Sequence, residues 1–563
     1  MPTSRSVPLR APALALALAS CGGTTDVEHV DTDAGTSSTG GSDESETTSG
    51  HTDPVGDDDD STGESPEALV WQSDCTLGGT DFGALHPDLE CTGLEVPLDW
   101  FDPRSQSVQV AAFRVRSSAT THVGQIWLLD GGPGGSGLGF FESPILHVFL
   151  DAGFDVVAPA HRGIISPRLR CSLPGTSACR TQLEEEWGDD LRHFSTLQAA
   201  ADLGELIERA QIEETGRTVV YGVSYGTLWG QYYLARHPNQ ADAVILDGVL
   251  PMNAPVLEQK VKQQELALDL LQRCIDDASC GDAVGFASGA AFATAVVEAV
   301  DSTTCGSLEG VGWLSSGLRQ QLGVLLNTPR ARSFLPLVAA MIQSCDPGLT
   351  AQATTALPKL QQYSASLEAP SSRLPLTTWS SSTTYSIGIE HYFSPELYSV
   401  VTSTSVLPDD GDPHAVREQA RPHLVAIGMG EAFLQNYDLW GDIPNAEVPL
   451  QHPAEIPVLV LSAAYDLQTP VAWARNVAEG LEQPLLVIDD AGHGVLGGGA
   501  DETVTHCARE VVLSFAVDGH VPGDRSCVSD GPLVDVNLGT PVLQAYAEHA
   551  FETADPWSLL FGR

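Results

Sequence analysis

The sequence predicts an α/β fold with a mostly parallel central sheet, interrupted by a long helical insertion. Three observations carry that expectation. Nearly continuous apolar runs rich in Val, Ile and Leu alternate with helix-like stretches, as parallel strands covered on both faces do. Two glycine-rich turns directly follow two of those runs, and about 200 residues with helical periodicity separate the fourth run from the fifth.

The expected strands are residues 126–130, 154–160, 217–223, 243–249, 457–462 and 484–488. Helical periodicity inside the insertion is clearest at residues 261–275, 290–300 and 318–326. The reading divides the chain at residues 67–250 and 451–563, two parts of one sheet-based core, with residues 251–450 as an insertion lying over one end of the sheet.

Residues 1–21 read as a processed signal. Arg5 and Arg10 form a positive start, residues 11–19 an apolar stretch, and Leu18-Ala19-Ser20-Cys21 a small-residue site before a cysteine. That site resembles a bacterial lipobox, which implies lipidation of Cys21 and export to the cell envelope, on the outer-membrane side or as a secreted form. Residues 22–66 carry thirteen acidic residues, no Lys, no Arg and no aromatic residue. Such a segment buries too little apolar surface to offset its ordering entropy, so it is expected to be a disordered tether spanning roughly 35–40 Å.

The whole chain has 563 residues and a formal charge of -47, from 27 Lys and Arg against 74 Asp and Glu. No basic stripe forms on such a surface, which argues against a nucleic-acid partner. Residues 67–563 alone hold 61 acidic residues against 25 basic ones, so the acidity is not confined to the tether. No apolar run approaches the ~18 residues of a membrane span, so contact with a membrane is expected only through the N-terminal lipid.

Eleven cysteines leave ten once Cys21 is set aside, an even number that suits an oxidising compartment. Pairing neighbours in sequence gives Cys75 with Cys91, Cys171 with Cys179, Cys274 with Cys280, Cys305 with Cys345, and Cys507 with Cys527. No Cys-x-x-Cys pair or compact Cys/His cluster exists, so neither a metal nor a cofactor is expected.

Chemistry enters at Gly222-Val223-Ser224-Tyr225-Gly226, between an expected strand and the helical stretch at 227–236. In that setting the glycines allow a tight turn that lifts a serine hydroxyl above the sheet. Asp130-Gly131-Gly132-Pro133-Gly134-Gly135-Ser136-Gly137 follows another strand and can aim backbone N–H groups at a developing oxyanion together with the N–H of Tyr225. A phosphate loop is the rival reading, but the Gly-Lys-Ser/Thr ending is absent. Asp466 follows the fifth strand, and His493 lies in the loop after the sixth. Ser224, Asp466, His493 is a chain order that serves nucleophile, orienting acid and general base, with Asp489 or Asp490 as alternatives for the acid.

These motifs, with Ile245-Leu246-Asp247-Gly248-Val249, Thr469-Pro470 and Gly492-His493-Gly494, resemble the α/β-hydrolase serine peptidases of the prolyl and tripeptidyl aminopeptidase family. Residues 457–527 look like the C-terminal region of the tripeptidyl-aminopeptidase-like branch. The resemblance implies an α/β-hydrolase fold with a helical cap, peptide substrates cut from their free N-termini, and Ser224, Asp466 and His493 as triad with Gly132 and Tyr225 as oxyanion hole. It also implies a carboxylate for the substrate ammonium, for which Glu390 is the candidate in the insertion. The chain departs from the family where members usually have Asp-x-Arg-Gly: it reads Ala160-His161-Arg162-Gly163, with Arg162 expected as an ion-pair anchor. An esterase or lipase on the same fold, or a non-catalytic surface protein, are the competing functions.

Overall fold

The computed structural model describes residues 66–561 without 78, 103, 302–313, 368–388, 407–411, 426–436, 445–452, 490, 497–501 and 522–533. The signal with Cys21, nearly all of the 22–66 tether, Asp490, Cys305 and Cys527 therefore lie outside the described residues.

A two-residue ribbon, β1 (Thr76–Leu77) with β2 (Thr80–Asp81), precedes the main sheet. The sheet has eight strands: β3 (Glu90–Pro97), β4 (Ser107–Val115), β5 (Gly124–Leu129), β6 (Phe154–Ala160), β7 (Arg217–Val223), β8 (Ala243–Asp247), β9 (Val458–Ala463) and β10 (Leu485–Ile488). Their spatial order is β10-β9-β8-β7-β5-β6-β4-β3, with β4 antiparallel to both its neighbours and all other pairs parallel. All six expected strands are present, shifted by at most two residues at an end. The antiparallel pair β3 and β4 escaped the sequence reading because β3 is an edge strand whose Cys91-Thr92-Gly93-Leu94-Glu95 has no continuous apolar run.

Every residue of β5, β6, β8 and β9 is buried, as expected for strands covered on both faces. The helix Tyr225–Arg236 packs on β7 and on the helix Thr196–Gln211, while Val471–Leu481 packs on β9. Because the strands run parallel, the loops that leave β5, β7, β9 and β10 emerge at one end of the sheet, which is where an open α/β sheet places its ligands.

Between β8 and β9 the described residues are helical, including Val256–Asp276, Gly289–Asp301, Leu314–Asn327, Leu335–Gln343 and Pro347–Leu367. They build a second apolar core around Leu270, Phe292, Leu322, Phe334 and Met341. The last helix, Pro541–Phe551, was expected with the sheet; it packs instead on Pro347–Leu367 and buries Tyr546 and Ala547 in the second core. An 18-residue window within residues 278–301 reaches a mean hydropathy of 1.6, long and apolar enough to cross a membrane, against the expectation of no such run. Residues 278–301 break into two helices, Ala278–Val284 and Gly289–Asp301, and bury Cys280, Phe292 and Val296 in this core.

Three disulfides follow the expected pairing: Cys75–Cys91, Cys171–Cys179 and Cys274–Cys280. Cys345 and Cys507 are also disulfide-bonded.

Candidate active site

Ser224 sits between β7 and the helix Tyr225–Arg236 at φ 56°, ψ -124°, a conformation that L-residues rarely adopt. The flanking glycines make that turn possible. A Cβ on Gly222 would lie 2.3 Å from the Gly226 carbonyl oxygen, and one on Gly226 would lie 2.1 Å from that of Leu129. The half-buried serine side chain is thereby lifted off the end of β7, at the N-terminus of a helix, where the macrodipole favours negative charge.

The glycine-rich loop after β5 lies beside this serine: a Cβ on Gly131 would be 3.6 Å from Ser224 Oγ. Asp130 shapes the loop, accepting the N–H groups of Gly131 at 2.7 Å and Gly137 at 3.1 Å. Burial pushes the Asp130 carboxyl above its ordinary value, against the opposing pull of those two hydrogen bonds. The insertion closes over the loop from outside. Ser394 N–H donates to Gly134 O at 3.0 Å, and Ser136 N–H to Tyr392 O at 3.1 Å.

At the far end of the site, His493 Nδ1 lies 2.8 Å from Asp466 Oδ2, with both side chains essentially buried. Asp466 is held in turn by the N–H groups of Gln468 and Thr469 at 2.9 and 2.8 Å and by the Thr469 hydroxyl at 2.7 Å. Burial works to lower the His493 pKa, but the charge of Asp466, its hydrogen bond and the charge of Asp247 leave it raised. His493 Nε2 is buried without a hydrogen-bond partner among the described residues, so the nitrogen that faces away from Asp466 is available to take a proton.

Asp247 links the two halves. Its backbone oxygen accepts the Ser224 N–H at 3.0 Å, and its carboxylate accepts the Val495 N–H at 2.9 Å, the Leu496 N–H at 3.2 Å and the Tyr221 hydroxyl at 2.7 Å. The next residue, Gly248, leaves room for the imidazole: a Cβ there would lie 3.2 Å from His493 Cε1. In the sequence Asp247 stands only within the motif Ile245-Leu246-Asp247-Gly248-Val249. Its signal was a carboxylate ending a strand that is otherwise wholly apolar.

The departure at Ala160-His161-Arg162-Gly163 keeps its own supports. Arg162 is fully buried; its Nε donates to Asp202 at 2.7 Å, and its other nitrogens reach Asp202 and the carbonyls of Pro97, Leu98 and His193. All its donors are spent inside the fold, which is an anchor's arrangement. His161 Nε2 lies 3.2 Å from the Tyr225 hydroxyl, itself 2.7 Å from Thr196 Oγ1. Burial lowers the His161 pKa to about 4, so the ring is neutral at pH 7.

Glu390 does not meet the expectation of a carboxylate in a confined cavity: its side chain is 56 % exposed, 3.8 Å from His391. A cleft of about 440 Å³ lined by Ile456, Pro457, Pro484, Phe515 and His520 opens at the opposite end of β9 and β10, and no candidate site residue lines it.

Residues 126–273 match the family model of the α/β-hydrolase fold, and residues 437–527 match the model described as TAP-like protein. The first segment holds Gly132, Ser224 and Tyr225, and the second Asp466 and His493. Serine protease Hip1 of Mycobacterium tuberculosis is 24 % identical over 471 residues, which span 77 % of this chain and 86 % of that protein. A tripeptidyl aminopeptidase of Streptomyces lividans is 26 % identical over 218 residues, 33 % of this chain and 40 % of that protein. A solved thermophilic esterase from Thermogutta terrifontis aligns over 75 % of this chain and 98 % of its own at 14 % identity, with a TM-score of 0.31.

Proposed function

We propose that this chain, whose α/β-hydrolase fold is joined by a match to the TAP-like model at residues 437–527, is a serine exopeptidase, exported and lipid-anchored through Cys21, that releases residues or short peptides from free N-termini in the manner of tripeptidyl or prolyl aminopeptidases. The observations that support the hydrolase reading are the buried Asp466–His493 pair and a serine held at φ 56° in a strand-to-helix turn, both tied to Asp247. The TAP-like match and the two peptidase relatives support peptides over esters as substrates.

In this reading His493 Nε2 takes the Ser224 hydroxyl proton as Oγ attacks the scissile carbonyl carbon. Asp466 holds the imidazole in the tautomer with Nδ1 protonated and stabilises the imidazolium that forms. The tetrahedral oxyanion is received by the N–H groups of Tyr225 and Gly132. Collapse of the intermediate breaks the peptide C–N bond, and the imidazolium returns its proton to the leaving amine. Water, deprotonated by His493, then hydrolyses the Ser224 ester and frees the N-terminal product as a carboxylic acid.

Aminoacyl- and tripeptidyl-naphthylamides assayed beside p-nitrophenyl esters test the reading. Turnover of the amides, abolished in Ser224→Ala without loss of the folded state, is the expected result. Hydrolysis of esters alone makes the protein an esterase. Absence of turnover together with no fluorophosphonate labelling of Ser224 makes it a non-catalytic member of the fold.

A further inference from the structure

The insertion reaches behind the active site as well as over it. Residues 327–332, which join the helix Leu314–Asn327 to the short helix Ala331–Phe334, touch the loop of the candidate acid and the loop of the candidate base. Asn327 Oδ1 accepts the Leu467 N–H at 3.0 Å, just after Asp466. Its backbone oxygen stands against Gly492, where a Cβ would lie only 2.6 Å away, just before His493.

Arg332 repeats the pattern from the other side. Its Nη2 donates to Ala491 O at 3.0 Å, two residues before His493, and its guanidinium lies 4.4 Å from the ring centre of Tyr465, the residue before Asp466. The side chain is wholly buried. Tyr465 and Leu467, which flank Asp466, pack into the core of the insertion and not into that of the sheet. Gln259 and Gln263, on the first helix of the insertion, donate to the carbonyls of Gln468 and Leu467 at 2.5 and 2.6 Å. The acid-bearing loop is therefore gripped on both sides by the insertion, and Arg332 ties that grip to the base-bearing loop.

We infer that Arg332 is a positioning residue for the Asp466–His493 pair, setting the distance between the loops that follow β9 and β10. The inference rests on the triad reading above. A buried arginine at this place serves as a pin because its planar guanidinium stacks on one loop while an N–H bonds the other, two contacts that Lys does not reproduce together. Misplacement of a catalytic group by ~1 Å costs on the order of 10²-fold in rate, so loss of the pin should be read in turnover and not in substrate binding.

The test uses the purified protein and a fluorophosphonate probe, which reports Ser224 activation whatever the natural substrate is. Arg332→Met is expected to lower the labelling rate between about tenfold and a hundredfold. The pH midpoint of labelling should move down as the imidazole loses its alignment with Asp466, with Asp247 left as the other charge facing the ring. Arg332→Lys should recover part of the rate, and KM for any cleaved naphthylamide should stay within about twofold. If Arg332→Met does not fold, Tyr465→Leu, which removes the stacking and leaves the bond to Ala491, is measured the same way and should show the same downward midpoint. A folded variant with parental rate and midpoint overturns the inference, as does a loss confined to KM. Failure of the unsubstituted protein to label overturns the triad reading itself.

Discussion

Tyr221 donates its hydroxyl to Asp247 at 2.7 Å directly beneath the loop that carries His493, and the same carboxylate receives the N–H groups of Val495 and Leu496. One buried anion at the end of β8 thus collects three donors, one from β7 and two from the loop after β10. Tyr221→Phe removes a single donor and should cost about 1–2 kcal/mol. Asp247→Ala strands three buried donors, and a loss of about 3 kcal/mol or more is expected. Urea unfolding of the two variants should give that order, and a larger loss for Tyr221→Phe would refute the assigned roles.

The raised pKa of His493 fixes the direction of the pH dependence. Below that pKa the imidazole carries its proton and is no base; above it the ring is neutral and, in the proposed mechanism, accepts the Ser224 proton. Labelling and kcat/KM should therefore rise with pH through a midpoint above ~6.5, the ordinary histidine value. Asp466→Asn removes the charge that sustains the raised value and should lower kcat on the order of 10⁴-fold. The folded protein holds the His493 proton more tightly than the unfolded chain, so this group's stabilisation is complete at low pH and fades as pH climbs through the raised pKa.

Arg162 and Asp202 form a pair with side chains 0 % and 4 % exposed, and removing one partner leaves the other charge buried. Arg162→Met should destabilise by about 3–5 kcal/mol. A thermal melt within two degrees of the parent would show that the pair contributes little.

His161 gives the opposite sign from His493. Its folded pKa is depressed to about 4, so the unfolded chain takes up a proton as pH falls from ~6.5 while the folded protein does not. Stability from this group is full above pH ~6.5 and declines toward pH 4 by about 3 kcal/mol. In His161→Gln that decline should disappear, and denaturant titrations at pH 7 and pH 4.5 measure the difference.

What the sequence disclosed was governed by local pattern. The parallel strands are continuous apolar runs, and Ser224, Asp466 and His493 stand in loops directly after such runs, so composition and position sufficed to nominate them. Asp247 and Arg332 were not legible because their roles depend on contacts across 248 and 159 residues of chain. Glu390 shows the same limit: an acidic residue ending an apolar stretch has the right chemistry, but its 56 % exposure is set by tertiary packing. The C-terminal helix, assigned to the sheet by its place in the chain, joined the insertion because its apolar face is completed by Tyr363 and Phe334.

The pairing of Val244 with Val458 and of Asp247 with Leu461 places β8 beside a strand more than 200 residues later. During synthesis, β8 is complete while its neighbour is still unmade, so the growing chain exposes an unpaired strand edge that is apolar up to Asp247. Ser224 and the glycine loops are also finished at that stage, whereas the candidate acid and base, Asp466 and His493, arrive only with β9 and β10. The nascent polypeptide is then most prone to aggregate over an interval in which the candidate triad is incomplete; docking of β9 covers the edge, and His493 follows only after β10.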